Sequence, residues 1–290
     1  LSDRLIRADG TALDYTVSRL PDGATLVTFN DVTSTVEVER SLTSKKEQAE
    51  SSERQKTAFL HHMSKNLREP LNSILVTSEM LSKETFGMLN PKQKEYVEDV
   101  LKEGQTLKHM MEVILDMSTI DAGLMELDRE TVDLKSLLTD AIRDIDPQLK
   151  ARGLKLKLQM NTSRGSLYAD KLRLSQILTH LVQNAITYSH QNGEILVSLL
   201  PYKDGYKLTV KDNGCGMPEE VQAEAFDSFY SYPLNNRQGG VGLGLSIAKR
   251  FVELHYGQIE LKSAVGEGTE VIVYIPNPEL QQRGGNNNAA

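Results

Sequence analysis

The sequence predicts an α+β protein: a helical hairpin that forms a four-helix bundle when two chains pair, followed by an α/β sandwich and preceded by the last strands of a larger module. Three observations predict it. Apolar residues from Leu60 to Ile114 recur at spacings of three and four, the mark of a helical seam. From Leu154 onward apolar and polar residues alternate, as in half-buried strands. Glycine-rich motifs then follow Asp212 and precede a helix, an arrangement suited to holding a phosphorylated ligand.

The elements follow in order. Thr11 to Val17 and Ala24 to Phe29 are β-rich runs around the turn Pro21-Asp22-Gly23, a hairpin signal. Two or three strands bury no core alone, so residues 1–35 are expected to end a larger sensory domain. From Ser34 the pattern is helical, and residues 43–57 are almost wholly polar, so 36–58 read as a solvated linker helix. The first seam is Leu60, Met63, Leu67, Leu71, Ile74 and Leu81, with Ser78 filling one step. After a break at Gly87 to Pro91 the second seam is Val97, Val100, Leu107, Met111 and Ile114, with Gly104 and Ser118 in register. Two hairpins make a bundle, so a homodimer through residues 59–121 is expected, against the alternative of an ordinary coiled coil. Asp121-Ala122-Gly123 closes this part, 59–125.

Residues 126–276 are expected to form the α/β part. Its strands are Leu154 to Met160, Ile195 to Leu200 and Leu208 to Val210, with two more near 258–263 and 269–275. Its helices cover 170–189 and Gly242 to His255. Residues 277–290 are Gly- and Asn-rich and are expected to be a disordered tail.

Composition excludes some functions. In 290 residues the net charge is −7 and the pI near 5.5, which argues against a nucleic-acid surface. No apolar run approaches the ~20 residues of a membrane span. A single cysteine excludes an internal disulfide and suits a cytoplasmic location. The chain opens at Leu1 rather than Met, so membrane attachment, if any, is expected upstream.

The chemistry lies between Asn184 and Gly244. Asp212 follows a strand, so its carboxylate stands at a strand end and can accept from an adenine amino group. Gly214 and Gly216 allow the backbone to turn and approach the base. Glycines 239, 240, 242 and 244 precede a helix whose free N–H groups suit phosphate. Residues 229–238 read as a mobile lid with Arg237 available for a terminal phosphate. Singly, each piece is as well explained by turns and caps; their conjunction and order carry the reading.

This arrangement resembles the GHKL (Bergerat) ATPase superfamily and, within it, the catalytic domain (HATPase_c) of sensor histidine kinases. The resemblance implies ATP and Mg²⁺ as cofactors. It assigns Asn184 to the metal, Asp212, Gly214 and Gly216 to adenine, Gly240, Gly242 and Gly244 to the phosphates, and carries Phe226 and Phe229 over to the nucleotide site. Leu243 and Thr269 complete the expected nucleotide set, with His180 where the family commonly has Asn. Thr187 stands where a Lys is frequent.

Phe59 to Asn72 resembles the phosphoacceptor box of the dimerisation (HisKA) domain, usually Met-Ser-His-Glu-Leu-Arg-Thr-Pro-Leu. Aligned on Ser64, Leu67, Arg68, Pro70 and Leu71, the acceptor position is Lys65, the acidic neighbour is Asn66, and the Thr that assists dephosphorylation is Glu69. Helical geometry points Lys65 roughly 150° from the seam, towards solvent. Lysine stays protonated to ~10.4 and offers no lone pair at neutral pH, so ordinary autophosphorylation is expected to be lost. Pro70 is expected to kink the helix there. His61 and His62 are the alternative acceptors, against the plainer reading of two exposed histidines. Asp31-x-Thr33 resembles the exit of a PAS domain, and the chain is similar to acceptor-less members of the kinase family. The resemblance therefore implies a pseudokinase that docks a response regulator receiver domain or another histidine kinase, with an active kinase using His61 or His62 as the alternative. A GHKL ATPase without phosphotransfer is a third reading, though His180 occupies the place where those enzymes keep a catalytic Glu.

Overall fold

A computed structural model describes residues 2–161, 165–228, 230 and 242–278. The side chains at 2, 37, 49–50, 53–54, 56–57, 61–62 and 64–65 lie outside that description. The chain divides into two compact units, residues 1–63 and 64–290.

In the first unit, β1 (Ser2–Ile6), β2 (Ala12–Arg19) and β3 (Thr25–Asp31) form an antiparallel sheet in that order, with Leu5 opposite Leu13 and Thr16 opposite Thr28. Helix α1 (Thr33–Ser82) starts directly after it. Asp31 Oδ1 accepts from the backbone N–H and the hydroxyl of Thr33 at 2.9 and 2.6 Å, and Thr33 Oγ1 accepts from Ala12 N–H at 3.0 Å. Strand exit and helix start are thus tied by one short motif. The polar linker and the first hairpin helix are one continuous helix, which runs through Pro70 to Ser82.

In the second unit the hairpin turns at 83–90 and α2 (Pro91–Asp121) begins with a full capping box: Asn90 Oδ1 accepts from Gln93 N–H, and Gln93 Oε1 accepts from Asn90 N–H, both at 2.9 Å. The seam splits into two faces. Leu71 and Ser78 are buried within the hairpin, where a Cβ on Gly104 would meet Leu75 Cδ2 at 2.7 Å. Leu67, Ile74 and Leu81 stay exposed, as do Val100 and Leu107.

The α/β part has a five-stranded sheet ordered β5 (Lys155–Met160), β7 (Glu194–Tyr202), β8 (Gly205–Asp212), β10 (Gly268–Pro276), β9 (Gln258–Ala264), antiparallel except for β5 beside β7. A separate pair joins β4 (Arg129–Asp133) to β6 (Ser166–Asp170). Ile195, Val197, Val210, Val271 and Val273 alternate onto one face. There they pack with α3 (Leu134–Ala151), α4 (Lys171–Tyr188) and α6 (Gly244–Leu254); a short α5 spans Glu219–Glu224. Val113 of α2, 3 % exposed, belongs to the same core, so the second hairpin helix is built into the sandwich. Sequence reading passed over β4, α3, β6 and α5. Asn277, assigned above to the tail, is buried and donates to Ser166 O at 3.1 Å, so the ordered part extends past 276; the remainder of the tail from 279 lies outside the described residues. Among the described residues no helix is long and apolar enough to cross a membrane.

Candidate nucleotide site

Asp212 is the last residue of β8, only 6 % exposed. Its Oδ1 accepts from Gly214 N–H at 2.8 Å and Thr269 N–H at 3.3 Å. Burial raises its pKa above the ordinary carboxylate value, and the two backbone donors offset part of that. The turn after it has no room for a side chain at either glycine. A Cβ on Gly214 would sit 2.2 Å from Tyr188 O, and one on Gly216, at φ +63, 1.8 Å from Ala264 O. Strand β8 thereby holds a carboxylate and two close-packed peptide units at one end of the sheet.

Helix α4 supplies the facing wall. Asp170 caps its start by accepting from Arg173 N–H at 3.0 Å, and the Arg152 guanidinium donates to Ile186 O and, at 3.0 Å, to Thr187 O at its end. So fixed, the helix places Asn184 and, one turn earlier, His180 beside the first residue of α6. A Cβ on Gly244 would lie 3.5 Å from Asn184 Nδ2 and 3.7 Å from His180 Nδ1. Helix α6 begins without a side-chain cap, after Gly242 at φ +75 and a buried Leu243, leaving its first N–H groups for a ligand.

Between these walls is a cleft with about 680 Å³ of empty space, part of it open to solvent. Its lining includes Asn184, Asp212, Gly216, Leu245 and Thr269. Tyr188 and Met217 also line it. These two were not foreseen, although Met217 directly follows the glycine motif. The lining is mostly apolar with few polar groups, as a base-binding cleft requires.

Other expected residues lie elsewhere. His180 is buried, 7 % exposed, and stands behind the wall rather than on it; burial first, then the charge of nearby His109, push its pKa down to about 4. Thr187 turns its hydroxyl back to Gln183 O at 2.8 Å. Phe226 lies beneath Lys249, whose Nζ is 5.5 Å from the ring centre. Phe229, Arg237 and Gly240 lie outside the described residues. In the hairpin, Asn66 and Glu69 are exposed on α1, while the side chains of His61, His62 and Lys65 lie outside the description. For Mg²⁺, Asn184 is the one foreseen ligand that the described residues place on the cleft wall. Among them no three His, Cys, Asp or Glu side chains gather as a metal cage.

Comparison with known proteins agrees with this geometry. Residues 169–279 match the family of histidine kinase-, DNA gyrase B- and HSP90-like ATPases, and residues 55–123 match the His Kinase A (phospho-acceptor) domain. The sensor protein DivL of Caulobacter vibrioides is 34 % identical over 96 % of this chain and 35 % of its own length. The circadian input-output histidine kinase CikA of Synechococcus elongatus is 36 % identical over 78 % of this chain and 30 % of its own. The chain thus spans about a third of these relatives. Full-length ShkA, solved in complex with AMPPNP, superposes with a TM-score of 0.62 at 25 % identity, covering 75 % of this chain and 45 % of that one. With the phospho-acceptor domain and the ATPase domain both present, and in that order, the chain belongs to the sensor histidine kinase family of two-component signalling proteins.

Proposed function

We propose that this chain is the signalling core of a DivL-like pseudokinase: it binds ATP, dimerises through residues 59–121, and docks a response regulator receiver domain or another histidine kinase. Residues 1–35 are read as the end of a PAS domain that feeds helix α1. The observation that carries the proposal is the contrast between Lys65, Asn66 and Glu69 in the phosphoacceptor box and a cleft lined by Asn184, Asp212, Gly216 and Thr269. ShkA, similar over 75 % of this chain, was solved in complex with AMPPNP, which supports nucleotide in this cleft.

In that reading Asp212 orients the purine and the N-terminus of α6 faces the phosphates. Asn184 would offer Mg²⁺ one neutral oxygen. Bound there, the ion would supply charge neutralisation for the triphosphate. Lysine at position 65 keeps its proton and presents no nucleophile, so the chain gains no phosphoryl group there.

The test is radiolabelled ATP on the purified chain beside binding of a fluorescent ATP analogue. Binding without acid-labile label is the expected result; label on the wild type overturns the pseudokinase reading. The triple change K65H, N66E, E69T rebuilds the family's usual box and is expected to create label. The retained cleft favours one rival, a kinase using His61 or His62. It requires label that disappears in H61A/H62A.

A further inference from the structure

Strand β9 carries Ile259, Leu261 and Ser263 on one face. The first two pack against the sandwich core, and Ser263 ends the stripe with a hydroxyl. Its cross-strand partner on β10 is Thr269, which lines the cleft; Ser263 is not part of that lining. Three polar groups meet the Ser263 hydroxyl. Met217 N–H, from the turn after Asp212, donates to Oγ at 2.8 Å. Gly268 O and Thr269 Oγ1 both lie 2.9 Å from it. Gln222 Nε2 ties the same two segments a second time, donating to Met217 O at 3.1 Å and to Ser263 O at 2.9 Å.

Only one direction of these bonds satisfies all three contacts. A serine hydroxyl has one proton and two lone pairs. A carbonyl oxygen only accepts, so the Ser263 proton goes to Gly268 O, and one lone pair takes Met217 N–H. The other lone pair receives the Thr269 hydroxyl proton. Thr269 Oγ1 then has lone pairs alone to offer a ligand. The neighbouring Asp212 carboxylate is alike: Oδ1 accepts from Gly214 and Thr269 N–H, and the ionised group has nothing to donate.

We propose that Ser263 is a positioning residue for the nucleotide site: by taking the Thr269 hydroxyl proton it leaves that end of the cleft with acceptors alone, Thr269 Oγ1 beside the Asp212 carboxylate. The proposal rests on the nucleotide-binding reading above and assigns part of the base selectivity to a residue outside the lining. A base edge bearing an amino group finds partners there. One with a carbonyl oxygen in its place sets acceptor against acceptor. Without Ser263 Oγ the Thr269 hydroxyl can turn its proton towards the cleft, and a carbonyl is then tolerated.

Calorimetric titration of the 290-residue chain with Mg·ATP and Mg·ITP tests this, since inosine carries an oxygen where adenine has its amino group. One hydrogen-bond mismatch corresponds to about a tenfold difference in affinity. S263A is expected to shrink the ATP-over-ITP preference by about that factor, chiefly by binding ITP more tightly. S263T keeps the hydroxyl and is expected to keep the preference. T269V leaves the Ser263–Met217 bond in place, so it tests the same acceptor without loosening the turn, and it is expected to shrink the preference too. With no Thr269 hydroxyl left to orient, S263A/T269V is expected to discriminate as T269V does. Equal losses for both nucleotides in S263A, an unchanged preference in S263A or T269V, or a wild type that binds ATP and ITP alike overturn the proposal while leaving nucleotide binding intact. A wild type that binds neither nucleotide overturns both.

Discussion

Burying the Asp212 carboxylate to 6 % exposure is costly unless something in the cleft repays it. Oδ1 is satisfied by Gly214 and Thr269, and in the proposed reading an adenine amino group donates to Oδ2. In D212N one of the two positions must become an NH₂ facing another donor. ATP affinity is expected to fall by about 30- to 100-fold, as for a buried polar mismatch, with an unchanged far-ultraviolet spectrum; affinity within threefold of wild type would remove Asp212 from the site. His180 gives a second prediction. Its folded pKa, about 4, lies below the ordinary 6.5, so its contribution is present above 6.5 and is lost as pH falls through the folded value. The window is 6.5 to 4, and the shift corresponds to about 3 kcal/mol. Urea unfolding at pH 7.5 and 5.0 checks it: H180N is expected to flatten the slope that the wild type shows between them.

Which elements could be read in advance follows from how local their signals are. The hairpin, α4, α6 and the sheet strands announce themselves by period and by flanking glycines. The partners β4 and β6 do not: each has five residues, and they pair at long range, with Arg129 opposite Asp170 and Asp133 opposite Ser166. Helix α3 was legible, since Leu134, Leu137, Leu138, Ala141, Ile145 and Leu149 keep helical spacing, but Pro147 interrupts the pattern near its end. At the site, Asp212 and Asn184 were readable as motifs. The approach of His109 to His180 was not, because 71 positions and a domain boundary separate them and only tertiary packing of α2 brings them together. That packing has its own test. Val113 lies in the sandwich core at 3 % exposure, so V113A is expected to cost about 2 kcal/mol of stability in the α/β domain. If α2 belonged to the bundle alone, denaturant unfolding of that domain, followed by fluorescent nucleotide release, would be unaffected.

At the scale of the whole molecule, the hairpin leaves apolar surface that one chain does not cover. Leu67, Ile74 and Leu81 recur at heptad spacing on α1, and Val100 and Leu107 do so on α2, with Ile74 51 % and Leu107 49 % exposed. Leu71 and Ser78, on the neighbouring stripe, are already buried inside the hairpin. Two stripes at different angles are what a four-helix bundle asks of each helix: one closes the hairpin and the other meets a second hairpin. The sequence seam recorded both without separating them, since period alone does not say which chain covers a stripe. A charge placed on the outward stripe separates them experimentally. In I74D/L107D the new carboxylates would be buried between chains in the dimer, a loss of several kcal/mol that an exposed surface would not feel. Light scattering on the eluting chain is expected to give twice 32.3 kDa for the wild type and 32.3 kDa for the variant, with nucleotide binding retained because Asp212 and Asn184 lie in the other domain. By contrast, L71A is expected to weaken the hairpin itself without selecting the monomer. A variant that still elutes as a dimer would assign the pairing to a different face of the chain.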